Sequence, residues 1–121
     1  MAADRVNFLA ALAGGVCASE VSPEVVSWMH RMFLESSPVA AASLGDLGPL
    51  DQRAMLGELK VPILSYVGAN DAVVDPNVCR SVAKYAADVK TVECGASGHA
   101  PFIEESALYH GELLAFLEVN L

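Results

Sequence analysis

The 121-residue chain is predicted to be an α/β protein: a helical segment over 1–59, then a β-α-β-α unit over 60–121 with a short parallel sheet. Three observations predict it. Composition shifts near Lys60, from an alanine-, methionine- and leucine-rich half with helical periods to one with strand-like runs. Two short apolar runs follow, each ended by glycine, and a helical pattern separates them. A last helical pattern closes the chain. Strand, helix, strand, helix at these spacings is a βαβ unit, whose connection makes neighbouring strands parallel.

The elements follow in order. Ala10 to Ala13 is a helix-like alanine run. Val25, Trp28, Met29, Met32 and Phe33 recur at i, i+3, i+4, i+7 and i+8, one apolar stripe along a helix. Ser22, Pro23 and Glu24 supply its N-cap, first-turn proline and acidic first turn. Ser36-Ser37-Pro38 ends it. A short helix is expected from Val39 to Leu44, broken by Gly45 and Gly48-Pro49, and another from about Asp51 to Leu59. Pro62 to Val67, ended by Gly68, is predicted as a strand buried on both faces. Asp75-Pro76 opens a helix to about Ala87, with Val78, Val82, Tyr85 and Ala86 on one face. Val89 to Cys94 is a second strand, closed by Gly95, and Gly95 to Gly98 is a small-residue loop. The last helix, about Ser106 to Leu117, is expected to bury Tyr109, Leu113, Phe116 and Leu117.

Composition narrows the function. Hydrophobic residues make up 54% and charged residues 18%, which excludes a disordered chain and exceeds what a small soluble domain needs. Seven basic against fifteen acidic residues give a net charge of −8. That argues against nucleic-acid partners and anionic membrane surfaces. No apolar run reaches the roughly 18 residues that span a bilayer. Cys17, Cys79 and Cys94 form neither a C-x-x-C nor a metal-spaced cluster with histidine, so reduced thiols in a cytoplasmic protein are expected.

Two polar residues stand just past the carboxyl ends of the two strands. Asp71 follows Gly68-Ala69-Asn70, and His99 follows Gly95-Ala96-Ser97-Gly98. Parallel neighbours lie about 5 Å apart, so loops leaving one edge bring both side chains into one region, where open α/β sheets bind ligands. A carboxylate beside an imidazole fixes the ring's tautomer and stabilises its protonated form, as a general base requires. The competing readings are a turn or cap role for Asp71 and a structural histidine in a glycine loop.

Val61-Pro62-Ile63-Leu64, then Gly68-Ala69-Asn70-Asp71 and Val74, then Gly95-Ala96-Ser97-Gly98-His99-Ala100-Pro101-Phe102-Ile103-Glu104-Glu105 together resemble the carboxyl-terminal end of an α/β-hydrolase-fold enzyme. The resemblance is to the esterase, lactonase and non-haem peroxidase-like group. It is dense from Lys60 to Leu121, and the residues before Lys60 are similar in style to that group's helical cap.

The resemblance implies a triad in chain order nucleophile, acid, histidine, with Asp71 as the acid and His99 as the base. It implies hydrolysis of an ester, lactone or similar acyl bond of a small substrate, with water as second substrate and no metal or organic cofactor. Cap helices would roof the acyl pocket, so Trp28, Met29 and Met32 would face substrate and Val74 would line it. The alternative for the stripe is plain packing on the sheet. The sequence departs from the group in having no G-x-S-x-G, so the nucleophile would come from a complementary amino-terminal half. Gly15-Val16-Cys17-Ala18-Ser19 imitates a cysteine elbow, but an alanine run rather than a β-branched strand precedes it. A half-sheet would expose an apolar face and edge, so a complementary half or self-association is expected. A second reading is a non-catalytic interaction module that pairs through its exposed sheet edge.

Overall fold

The computed structural model describes residues 2–121, with side chains described for 4–43 and 45–121. The first half is helical. In α1 (Ala2–Gly15), Leu9 and Ala13 point inward together with Val16 just beyond the helix, the spacing of one helix face. In α2 (Pro23–Glu35) the Ser22 hydroxyl accepts from the Val25 amide, and Pro23 opens the first turn, as its sequence predicts. Arg5 ties the start of α1 to the end of α2. Its guanidinium donates to the carbonyls of Ser36 at 2.7 Å and Phe33 at 3.3 Å, satisfying helix-end acceptors that would otherwise lack partners. The short helices α3 (Pro38–Ser43) and α4 (Arg53–Glu58) flank a 3-10 turn over Leu44–Leu47.

The second half carries the sheet. Strands β1 (Ile63–Gly68) and β2 (Val89–Cys94) run parallel, in register from Ile63 opposite Val89 to Gly68 opposite Cys94. They are joined by α5 (Pro76–Tyr85), whose cap is Asp75 accepting from the Asn77 amide at 2.9 Å. After β2 come α6 (Pro101–Glu104) and α7 (Ser106–Asn120). Tyr66 of β1 stacks on Tyr109 of α7 with ring centroids 4.2 Å apart, and its hydroxyl donates to the Tyr109 carbonyl at 2.6 Å. That pair fixes α7 over β1.

Three expectations about burial need correction. β1 is buried only at Val67 and Gly68, and Ile63 to Tyr66 are half-buried. Among the described residues the sheet has two strands, so β1 is flanked on one side only. In α5, Val78, Val82 and Tyr85 border one groove together with Leu56 of α4, and the Cys79 carbonyl accepts from the Ser65 hydroxyl. In α7, Tyr109, Leu113 and Phe116 are half-buried and Leu117 is exposed, because its apolar residues outnumber what two strands can cover. The α2 stripe does not pack on the sheet either. Met29 is buried with Ala13, Val16 and Ala100, and Val25 and Phe33 pack around them. One apolar cluster thus joins the helical half to the start of α6. No helix among the described residues is long and apolar enough to cross a membrane.

Candidate active site

Register decides where the site forms. Gly68 and Cys94 end their strands side by side, and the two loops that follow are stitched to each other. The Ala69 amide donates to the Cys94 carbonyl and the Asn70 amide to the Ser97 carbonyl, both at 3.0 Å. The Asn70 side chain donates to the Gly95 carbonyl at 2.9 Å. These bonds hold Asp71 and His99 at one sheet edge.

There the His99 Nδ1 lies 2.8 Å from Asp71 Oδ2. The other carboxylate oxygen, Oδ1, accepts from the amides of Val73 at 2.8 Å and Val74 at 2.9 Å, which locks the carboxylate in place. The Asp71 side chain is 9% exposed and that of His99 is 42% exposed. Burial alone would raise the Asp71 carboxyl, but the Val74 amide, the His99 ring and the Val73 amide together hold it below the usual carboxylate range. An ionised carboxylate only accepts hydrogen bonds. The neutral ring must therefore carry its proton on Nδ1, which leaves Nε2 as a free base.

The backbone beneath His99 is tightly held. Its amide donates to the Val16 carbonyl at 2.8 Å. A Cβ on Gly98 would lie 2.7 Å from the Ala18 nitrogen and 2.8 Å from the Val16 oxygen. Glycine at this position serves close backbone approach rather than an unusual dihedral angle.

Beside His99 opens a cavity of about 370 Å³, lined by Trp28, Met29, Met32, Phe33, Val73 and Phe102 among other apolar side chains, with His99 itself on the wall. Met29 is buried, while Trp28 and Met32 are 44% and 42% exposed. Val73, not Val74, lines this cavity. Val74 lines a neighbouring one of about 270 Å³ with Asp71, His99, Tyr66 and Tyr109. Val73, Phe102 and Ile103 had no periodic signal, since each sits in a loop or a four-residue helix.

The cysteines show no activation. The Cys17 thiol is pushed up by burial and then by Glu104, Cys79 by burial and then Asp71, and Cys94 by burial and then Glu105 and Glu93. Cys17 lies past the carboxyl end of α1, whereas a reactive thiolate favours a helix amino terminus or a nearby cation. Among the described residues no group of three or more His, Cys, Asp or Glu could hold a metal ion.

No protein-family model matches the sequence. Over 104 residues it is 31% identical to the AB hydrolase superfamily protein YisY of Bacillus subtilis, covering 85% of this chain and 39% of that protein. Its structure is similar to the esterase EaEST from Exiguobacterium antarcticum, with TM-score 0.89 and 21% identity over 97% of this chain and 44% of that one. An esterase from Thermogutta terrifontis aligns with TM-score 0.79 and 26% identity, over 95% and 44%. A bromoperoxidase from Bacillus anthracis aligns with TM-score 0.88 and 20% identity, again over 95% and 44%. The chain spans less than half the length of each of these proteins.

Proposed function

We propose, from the premise that this chain carries the carboxyl-terminal part of the α/β-hydrolase fold, that Asp71 and His99 are the acid and base of a hydrolase triad acting on an ester, lactone or related acyl bond. The observation that carries the reading is the 2.8 Å contact between His99 Nδ1 and a carboxylate anchored by two backbone amides. The nucleophile is a serine hydroxyl on a complementary amino-terminal segment. His99 Nε2 takes the hydroxyl proton as the oxygen attacks the acyl carbon, and Asp71 stabilises the imidazolium that forms. The same proton passes to the leaving alcohol. Water then attacks the acyl carbon and gives its proton to Nε2, which passes it to the serine oxygen as the acyl–oxygen bond breaks, releasing the acid and restoring both the hydroxyl and the neutral ring. No metal or organic cofactor takes part.

The cavity beside His99 suits a neutral, apolar acyl group. Its wall is aliphatic, thioether and aromatic apart from His99, so a charged substituent would enter without a partner and bear its desolvation cost. Trp28, Met29 and Met32 are its cap-side wall, and Val74 borders the acid.

Exposed apolar side chains support a partner. Phe8, Val61, Leu114 and Val119 are 60% or more exposed, and among the described residues the two-stranded sheet leaves strand edges unpaired. The complementary half is the proposed partner, a second copy of this chain the substitute in its absence. The three free thiols suit the reducing cytoplasm.

The test is to co-express this chain with the segment of the Exiguobacterium esterase that the structural match leaves uncovered. Hydrolysis of short activated esters is expected, lost in the His99→Ala variant. A folded complex with no hydrolysis, or with hydrolysis indifferent to His99→Ala, would favour the non-catalytic module.

A further inference from the structure

Glu104 has no part in the proton transfers just described, yet its carboxylate holds together the two backbones that meet under His99. Oε1 accepts from the Ala18 amide at 2.6 Å, the Ser19 amide at 2.8 Å and the Ser19 hydroxyl at 3.0 Å. Oε2 accepts from the Gly98 amide at 2.8 Å. One oxygen thus serves the segment joining α1 to α2, and the other serves the residue preceding His99. Between these contacts the His99 amide reaches the Val16 carbonyl, so the histidine backbone is pinned from both sides. The neighbouring Glu105 holds the start of the same loop, accepting from the Ala96 amide at 3.0 Å and the Ser97 hydroxyl at 2.6 Å.

Burial alone would raise the Glu104 carboxyl, but the amides of Ser19 and Gly98, the Ser19 hydroxyl and the Ala18 amide keep it below the usual range. It is ionised, and every partner is a donor. That arrangement cannot be matched by an amide side chain. Glutamine brings one acceptor and one donor group, so it can serve either the Ala18–Ser19 segment or Gly98, and its NH2 faces a donor on the other side.

We infer that Glu104 is a positioning residue for His99, bracing the histidine loop against the α1–α2 segment so that Nδ1 stays on the Asp71 carboxylate. The inference rests on the Asp71–His99 reading of the site and adds a residue that acts through the backbone and touches neither substrate nor ring. Small displacements of a catalytic group are costly, about 10²-fold for a shift near 1 Å.

The experiment is nitrogen NMR of the His99 ring in the full 121-residue chain, well below its unfolding temperature, since ring nitrogen shifts report which nitrogen holds the proton. Wild type is expected to hold the Nδ1–H tautomer. Glu104→Gln should move the two ring nitrogens toward a mixed population while the chain stays folded, and Glu104→Ala should move them further. In the complex with a nucleophile-bearing half, Glu104→Gln should lower kcat by up to about 10²-fold with KM nearly unchanged. If Glu104→Gln only lowers the unfolding temperature and leaves the ring nitrogens and kcat at wild-type values, Glu104 is merely structural and the inference is overturned. Asp71→Asn is the companion variant. If it shifts the ring and Glu104→Gln does not, positioning alone fails. If Asp71→Asn also leaves the ring unmoved, the Asp71–His99 pairing fails and takes the inference with it.

Discussion

Gly68, at the end of β1, lies so close to Gly98 that a methyl group on Gly68 would run into the Gly98 carbonyl. The histidine loop therefore sits directly on the strand end, with the α1–α2 segment pressed on its other side. Three stretches of main chain meet there without side chains between them.

Substitution at this crossing should be disproportionately damaging for so small a change. Gly68→Ala and Gly98→Ala each force backbone against backbone, which has no flexible end to yield. Each is expected to destabilise the fold by at least about 1–3 kcal/mol, read as a lower midpoint in chemical denaturation. Gly95→Ala, where a Cβ meets open space, is the comparison and should cost markedly less.

Replacing Asp71 by Asn keeps the shape of the side chain but offers His99 an amide in place of a charged acceptor. The ring loses both its imposed tautomer and the charge that stabilises the imidazolium. If the proposed triad holds, kcat of the complex with a nucleophile-bearing half should fall by about 10⁴-fold, with KM little changed, as steady-state ester hydrolysis would show. A loss under tenfold would remove Asp71 from the acid role.

Acid should loosen the site before it unfolds the rest. Asp71 and Glu104 both have carboxyls lowered in the folded chain. Their contribution to stability is complete above the unfolded carboxylate value of about 4 and is lost as pH falls from there through their lower folded values. Denaturation midpoints measured from pH 7 down to pH 3 should drop over the last unit or so. Glu104→Gln should be less stable at neutral pH and show a shallower decline in acid.

The cap-side residues should separate into two kinds. Met29 is 3% exposed in the cluster that joins the two halves, so Met29→Ala should cost about 2–5 kcal/mol of folding stability. Trp28 is 44% exposed on the rim of the cavity. Trp28→Ala should leave the unfolding midpoint nearly unchanged and raise KM for esters with bulky apolar acyl groups. A large stability loss at Trp28 would make it a core residue instead of a pocket wall.

Local chemistry made much of the chain legible from its residues alone. Ser22-Pro23 and Asp75-Pro76 start helices because their side chains cap free amides and proline suits the first turn, and both helices begin where these signals stand. The strand-like runs, each closed by glycine, become β1 and β2, and the loops after them carry Asp71 and His99, because period and punctuation are short-range properties. Burial was less legible. The faces of α5 and α7 depend on how much sheet lies beneath them, and a period of 3.6 says which residues share a face without saying what covers it. What only the tertiary structure decided were contacts between distant segments: the 2.8 Å approach of His99 to Asp71, the Gly68–Gly98 crossing, and Glu104 reaching back to Ala18 and Ser19. Each joins groups whose separation along the chain carries no periodic signal, so only the register of two parallel strands and the packing of the helical segment against them could bring these groups together.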